Sequence, residues 1–364
     1  MGFQLPEYIE PDFSVPFFRT APDVLTQPVT VTGVAPDNFH ATSIFPEYFK
    51  IAGVWRLAEE SRMDCCVRVN SENEPEIIEP RHLQIGDNVV LGRTEDGSEG
   101  IFLHVDGFVQ KSASRDQFAF RSGRSRETAF SKDYDHLYDL LHFERANGNI
   151  LWVMGPACAF DADARKAMEW LIANGYVNGL LAGNALATHD LEAAMFGTAL
   201  GQNIYSQQSH PNGHYHHLDL INAVRKSGSI ENFISEQAID SGIIFSCQKY
   251  GIPTVLTGSI RDDGPLPDVI ADTYQGQDAM RRLVRQATTV ICLATQLHTI
   301  ATGNMTPSYR VVDGTVRPLY IYSVDISEFA VNKLGDRGSL TATSIITNVQ
   351  DFVVMLSKGL KTEI

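Results

Sequence analysis

The chain contains no unbroken apolar run approaching the ~18 residues of a membrane span, so a soluble protein is expected. Positive charge is scarce: 29 Lys and Arg stand against 44 Asp and Glu, for a formal net charge of −15 at pH 7. Phosphate backbones and anionic membranes are bound through clustered cations, so neither nucleic acid nor membrane is an expected partner. The N-terminus MGFQLPEYIEPDFSVPFF carries Pro6, Pro11 and Pro16 and lacks the basic region and apolar core of a signal peptide, so export is not expected. Cysteine is sparse. Cys65, Cys66, Cys158, Cys247 and Cys292 show no CxxC spacing, and Cys158 and Cys292 fall in apolar runs where a reduced, buried thiol is normal, which fits the cytoplasm. GxGxxG, Walker and GxSxG motifs are also missing, so no familiar nucleotide fingerprint applies and nucleophilic hydrolysis has little support.

What is present is ordinary globular composition in a chain of 364 residues, long enough to favour two unequal domains over one. Residues 1–115 contain many Pro and Gly breaks between short β-rich runs (PVTVTGV, DCCVRVN, DNVVLGR, GIFLHVDGFV), which suggests a compact β-rich domain. Residues 116–148 read as a connector with a basic stretch around Arg121, Arg124 and Arg126, open to an anion contact, a subunit contact or plain solvation. From 149 to 364 apolar runs alternate with helical patterns. The spacing predicts strands at Asn149–Pro156, Gly179–Gly183, Thr254–Ser259, Thr288–Ala294 and Leu319–Val324. In DARKAMEWLIANG, Ala164, Ala167, Met168, Leu171 and Ile172 recur at helical spacing, with Asp163 near the start and Gly175 at the stop. Strands apolar on both faces and alternating with helices predict an α/β fold: a doubly wound, mostly parallel, Rossmann-like sheet. Ligands of such sheets sit beyond the carboxyl ends of the strands, where the polar clusters GPAC, GNALATHD, GSIRDDGPLPD, ATQLHTIATGN and DIS fall.

Several residues there have the chemistry of a nucleotide enzyme. Asp325 ends a strand, where a carboxylate can accept both hydroxyls of an adenosine ribose, although such an Asp also serves as a helix cap. Gly183, Asn184 and Ala185 form a small-residue turn that lets backbone amides approach a phosphate, or simply a tight strand-to-helix turn. The segment Gly258–Asp268 packs three carboxylates and Arg261 beside a buried strand, a costly arrangement unless they are paired or face a ligand. His298, His189 or Asp263 could shuttle protons near neutral pH. The run His210-Pro-Asn-Gly-His214-Tyr-His216-His217 lacks Cys, Asp or Glu at metal-ligand spacing, so capping, packing or substrate contact is expected there and no metal.

The segments LLAGNALATHDLEAAMFGTALG (180–201), NGHYHHLDLINAVRKSGSI (212–230), LTGSIRDDGPLPDVIADT (256–273), LATQLHTIATGNMTPS (293–308) and VDISEFAVNKLGDRGS (324–339) closely resemble the archaeal-type ornithine cyclodeaminase family, also described as a lysine-ketoglutarate reductase/saccharopine dehydrogenase conserved region. The same region forms the C-terminal part of arginine dihydrolase/ornithine cyclodeaminase fusions. A weaker match runs through SIFPEYFKIAGVWRLAEESRMDCCVRV (43–69). The resemblance implies an NAD-dependent ammonia-lyase that turns L-ornithine into L-proline, in a fold distantly similar to deoxyhypusine synthase. Carried over by residue, it implies cofactor contacts at Gly183, Asn184, Ala185, Asp263, Thr295, Gln296, Leu297, His298, Asn304, Asp325 and Asp336. The β-rich domain would supply the substrate wall through Thr42, Ser43, Met63, Asp64 and Cys65, within one chain or across a homo-oligomer interface of a dimer or tetramer. The runner-up readings are a dehydrogenase or cyclodeaminase of another amino acid or imine, and a non-catalytic NAD sensor.

Overall fold

The computed structural model describes residues 2–109, 131–262, 264–327 and 339–362. Asp263, Asp336 and the connector's Arg121, Arg124 and Arg126 lie outside the described residues.

The N-terminal region is built from short strands, as its turn-rich sequence predicts. β1 (Leu25–Pro28), β5 (Cys66–Val69), β6 (Pro75–Ile78) and β7 (Asn88–Leu91) form an antiparallel sheet in the order β1-β7-β5-β6. β2 (Glu47–Ile51) pairs on either side with β3 (Val54–Leu57) and β8 (Ile101–Leu103). The two-residue β4 (Glu60–Ser61) leaves this region and pairs with a later hairpin. Phe49, Val67, Val90 and Ile101 fill one small core here, and Cys66, Leu83 and Val89 another.

The larger body is a six-stranded parallel sheet. Its strands are β9 (Ile150–Met154), β10 (Gly179–Gly183), β13 (Thr254–Thr257), β14 (Thr289–Leu293), β17 (Tyr320–Asp325) and β18 (Ala342–Ile346), while β11 (Thr198–Ala199) and β12 (Gln202–Asn203) make a separate hairpin. The spatial order β13-β10-β9-β14-β17-β18 is the doubly wound arrangement in which the chain builds outward from β9 and then restarts beside it at β14. Alternation sorts the side chains onto two faces: Ile150, Trp152 and Met154 enter the larger core, whereas Leu151 and Val153 enter the smaller. The larger core is closed by residues of α2 (Ser131–Asn147), α3 (Ala162–Ala173), α4 (Asn184–Phe196), α5 (His214–Ser227), α6 (Ile230–Glu236), α7 (Ile243–Lys249) and α10 (Val349–Thr362). Met280 and Val284 of α8 (Thr273–Val284) and Met305 of α9 (Gln296–Met305) close the opposite face. A short N-terminal helix, α1 (Pro16–Thr20), lies outside both cores.

Five strands fall where the apolar runs predict them, with ends shifted by a residue or two. The α3 pattern also holds: Asp163 lies in its first turn, and Asp161 caps it, accepting a hydrogen bond from Ala164 N at 2.8 Å. Two features were not expected. β18 is a half-buried edge strand whose Thr343 and Ser344 interrupt any apolar run. The hairpin of β15 (Tyr309–Val312) and β16 (Thr315–Pro318) turns at Asp313-Gly314, both with positive φ, and pairs through β15 with β4. It ties the N-terminal region to the parallel sheet.

Candidate active site

The sheet register aligns the strand ends that the site requires. Ala182, Met154, Leu293 and Val324 lie in one row across β10, β9, β14 and β17, and Gly183 faces Thr257 in the next. The order reverses between β9 and β14, so the chains leaving these strands diverge and open a crevice. Its floor is narrow: Gly155 N donates to Leu293 O at 2.9 Å, and a β-carbon at Gly155 would lie 2.2 Å from Ala294 O. Only glycine fits there. Ala294 turns the chain with φ of +47°, and α9 begins at once, with Thr295 at the N-cap position but making no side-chain cap bond.

Two helices start at this edge, α4 at Asn184 and α9 at Gln296, and their first backbone N–H groups have no partners within the helix. Asn184 is buried, and its Oδ1 accepts hydrogen bonds from Leu266 N at 3.0 Å and from Thr188 Oγ1 at 3.4 Å. The loop after β13 is therefore fastened to the start of α4. Asp268 pins its far end by accepting from Ile230 N at 2.7 Å, and Asp262 closes its first turn by accepting from Ser259 N at 2.8 Å. Of the three carboxylates in this loop, those two thus have structural hydrogen bonds, and Asp263 lies outside the described residues.

His298, in the first turn of α9, bridges the two halves of the crevice. Its Nε2 lies 3.5 Å from Thr257 Oγ1, and a β-carbon at Gly183 would come within 2.9 Å of its Cε1. Its buried Nδ1 has no hydrogen-bond partner among the described residues. Burial pushes the imidazole below its ordinary pKa of 6.5, against the opposing pull of the Asp262 carboxylate, so the ring is neutral at pH 7. A neutral ring with an unused nitrogen is a proton acceptor or donor awaiting a ligand.

Asp325 stands half-buried at the end of β17, where its Oδ1 accepts from Ser327 N at 3.2 Å. Gly183, Ala185 and Thr295 are half-buried beside the crevice, and Gln296 and Leu297 are exposed at the start of α9. Together these residues fit a dinucleotide. Glycine-lined close approaches and two helix N-termini suit a pyrophosphate, a strand-end carboxylate suits a ribose, and an orphaned imidazole nitrogen suits the reacting end. Asn304 stands apart, roughly 12 Å along α9 from its first residue, and its carbonyl accepts from Arg62 Nη1 at 2.7 Å.

His189 belongs to a second cluster, farther along α4. It is buried, with Nδ1 3.3 Å from Glu192 Oε2, its ring stacked on His217 at 5.2 Å and tilted against Phe160 at 5.2 Å. Sequence spacing gave no sign of a carboxylate near the histidine run, yet Glu192 comes from another helix to meet His217: ligand atoms of His189, Glu192 and His217 lie within 4.8 Å of one another. Glu192 is already engaged. It accepts from Thr198 Oγ1, Leu200 N and Gly201 N at 2.9–3.0 Å as well as facing His189. Burial opposes its charge, but hydrogen bonds from His189, Gly201, Thr198 and Leu200 hold its carboxyl below the usual range.

The five proposed substrate-wall residues separate by exposure. Thr42 and Cys65 are buried, joined by Thr42 N donating to Cys65 O at 3.1 Å, and Thr42 Oγ1 donates to Arg62 O at 2.6 Å. Ser43 is half-buried and donates its N–H to Glu47 Oε1 at 2.5 Å. Met63 and Asp64 are exposed, with Asp64 at φ of +64°. Beneath them Glu79 gathers Arg62 at 2.5 Å, Arg81 at 2.8 Å and Arg281 of α8, fastening the β-rich region to the sheet domain. Thr257, Gly155, Ala294 and Glu192 were not singled out from sequence, because only the folded register reveals what they touch.

Comparison with known proteins agrees with this geometry. The family model described as arginine dihydrolase ArgZ-like, C-terminal, Rossmann fold, matches residues 137–356. The ornithine cyclodeaminase of Methanopyrus kandleri is 36% identical over 349 residues, covering 93% of this chain and 79% of that protein. The crystal structure of a conserved putative LOR/SDH protein from Methanococcus maripaludis superposes with a TM-score of 0.83 at 35% identity, covering 94% of this chain and 99% of that one. The ternary complex of AgrE with ornithine and NAD+ superposes with a TM-score of 0.59 at 31% identity, covering 96% of this chain and 47% of AgrE. A crevice at the switch point of a doubly wound sheet, found in a chain so similar to these proteins along nearly its whole length, places it: the chain belongs to the archaeal-type ornithine cyclodeaminase family of enzymes.

Proposed function

We propose that the protein converts L-ornithine to L-proline and ammonia, with NAD held in the crevice at the ends of β9, β10, β14 and β17. The observation that carries the reading is the likeness to AgrE, whose solved ternary complex contains ornithine and NAD+. When bound, NAD supplies a reversible hydride acceptor, so the α-carbon can be oxidised and later reduced with no net redox change. The chain's own residues do the rest. Backbone amides at Gly183–Ala185 and Thr295–Leu297 hold the pyrophosphate, and Asp325 accepts the ribose hydroxyls and repels a 2′-phosphate, favouring NAD over NADP.

Neutral His298 takes a proton at Nδ1 from the α-amine as the α-carbon is oxidised. The side-chain amine then attacks that carbon, ammonia leaves, and the cyclic imine is reduced in place. The N-terminal β-rich region, joined to the sheet domain by a connector whose last part, α2, packs into the larger core, bears Met63 and Asp64 toward solvent as candidate wall residues that would exclude water once substrate is bound. Five free, buried thiols support the expected cytoplasmic setting.

The test is incubation of the purified protein with catalytic NAD and, in separate reactions, ornithine, lysine, 2,4-diaminobutyrate and saccharopine, with products followed by mass spectrometry. Proline and ammonia from ornithine support the reading. NADH accumulating in step with an open-chain product rejects it.

A further inference from the structure

Thr257 closes β13, an edge strand of the parallel sheet, and its backbone is held from both sides. Gly183 lies opposite it in the register with β10, and Ile270 forms a parallel bridge to it from the returning loop. Its side chain is held as well. A β-carbon at Gly276 of α8 would lie 3.0 Å from Thr257 Cγ2, so the methyl rests against bare helix backbone. With the methyl seated there, Oγ1 stands 3.5 Å from His298 Nε2, the one hydrogen bond to that ring among the described residues. The distance is long, as catalytic hydrogen bonds often are before a ligand tightens them.

A neutral imidazole carries one ring hydrogen, and the two nitrogens of His298 differ in what they meet. Nε2 faces the Thr257 hydroxyl, whereas the buried Nδ1 has no partner among the described residues. A hydrogen on Nδ1 would be a buried donor without an acceptor; among buried backbone groups an orphaned N–H is rarer than an under-used acceptor, and the same balance favours hydrogen on Nε2. We propose that Thr257 is a positioning residue for the ornithine reaction: by accepting from Nε2–H it fixes the flip and the tautomer of His298, which leaves the Nδ1 lone pair to take the proton from the α-amine. This role rests on the reaction proposed above. When Nδ1 gains that proton the ring becomes a cation while Nε2–H stays on Thr257 Oγ1, and the bond becomes charge-assisted and stronger. Thr257 therefore holds the ring more firmly after the proton transfer than before it.

The test compares the full-length wild type with T257V, which replaces the hydroxyl by a methyl of nearly the same shape, and T257S, which keeps the hydroxyl. Nitrogen NMR of isotopically labelled histidine at pH 7 reads the tautomer directly, with the His298 signals assigned by their loss in H298Q. Wild type and T257S show hydrogen on Nε2, and T257V shifts toward hydrogen on Nδ1. In parallel, T257V lowers kcat for ornithine about tenfold or more, the effect of losing a charge-assisted hydrogen bond, with KM little changed, and T257S restores most of the rate. A wild-type ring with hydrogen on Nδ1, or the same tautomer in wild type and T257V, overturns the inference. A wild type that does not turn over ornithine overturns the proposed reaction, whereas the tautomer comparison still decides whether Thr257 sets the ring.

Discussion

His298 leaves no room for a side chain at Gly183: a β-carbon there would stand 2.9 Å from the imidazole Cε1. The strand-to-helix turn and the first turn of α9 are therefore fitted to each other. G183A pushes the ring off Thr257 and narrows the approach of the pyrophosphate, so NAD affinity and turnover both fall, each by about tenfold or more. Cofactor titration by fluorescence and steady-state kinetics check this. Unchanged values would show that the ring moves aside without cost.

Replacing His298 itself separates chemistry from folding. H298A lowers kcat by about 10²–10⁴, the range for removing a general acid or base, while the half-buried side chain leaves the core intact. The measurement is kcat alongside a thermal melt. Wild-type kcat would remove His298 from the reaction.

The pH dependence follows from the same group. Its pKa in the folded protein lies below 6.5, so at pH 7 the ring is neutral in both folded and unfolded chains. As pH falls below 6.5 the unfolded chain takes the proton first, and stability declines until the folded pKa is passed. Activity that requires the neutral ring persists below pH 6.5 and fails only at lower pH. Glu192, also depressed, acts in the same direction: its contribution is complete above the ordinary carboxylate range and is lost as pH falls through its lowered value. A kcat/KM profile whose acid limb begins above pH 6.5 would contradict the assignment of His298.

Glu79 holds the β-rich region to the sheet domain. E79Q leaves Arg62 and Arg281 poorly compensated in a nearly dry junction where burial and the neighbouring Arg62 already push Arg281 down to about 10. Breaking a buried pair from one side costs about 3–5 kcal/mol, visible in urea denaturation. A loss below about 1 kcal/mol would mean that the pairs are solvated.

Chelation leaves turnover unchanged. The four acceptor positions of Glu192 are already taken by protein donors, so the His189–Glu192–His217 cluster is held together without an ion. Metal analysis before and after dialysis checks this, and stoichiometric zinc lost together with activity would contradict it.

Much of the fold was legible because buried parallel strands such as ILWVM and TVICL are continuous apolar runs, and Gly183-Asn184 marks a strand-to-helix turn. β18 was not, since an edge strand carrying Thr343 and Ser344 lacks that signature. The β15–β16 hairpin carries a sequence signal in Asp313-Gly314, a turn pair between two β-rich runs. In the candidate site, the placing of His298, Gly183 and Asn184 at the strand ends around the crevice was legible from sequence. The link between Glu192 and the histidine run was not, because α4 and α5 meet only in three dimensions.

The most direct test of the central claim follows the α-hydrogen of the substrate. Ornithine deuterated at the α-carbon is incubated with the protein and catalytic unlabelled NAD, and the product is analysed by mass spectrometry and NMR. If oxidation and reduction occur at one carbon on a retained cofactor, the product is proline with deuterium at C2, formed with one equivalent of ammonia and no build-up of NADH. Proline without deuterium, or an open-chain product accompanied by stoichiometric NADH, would contradict it.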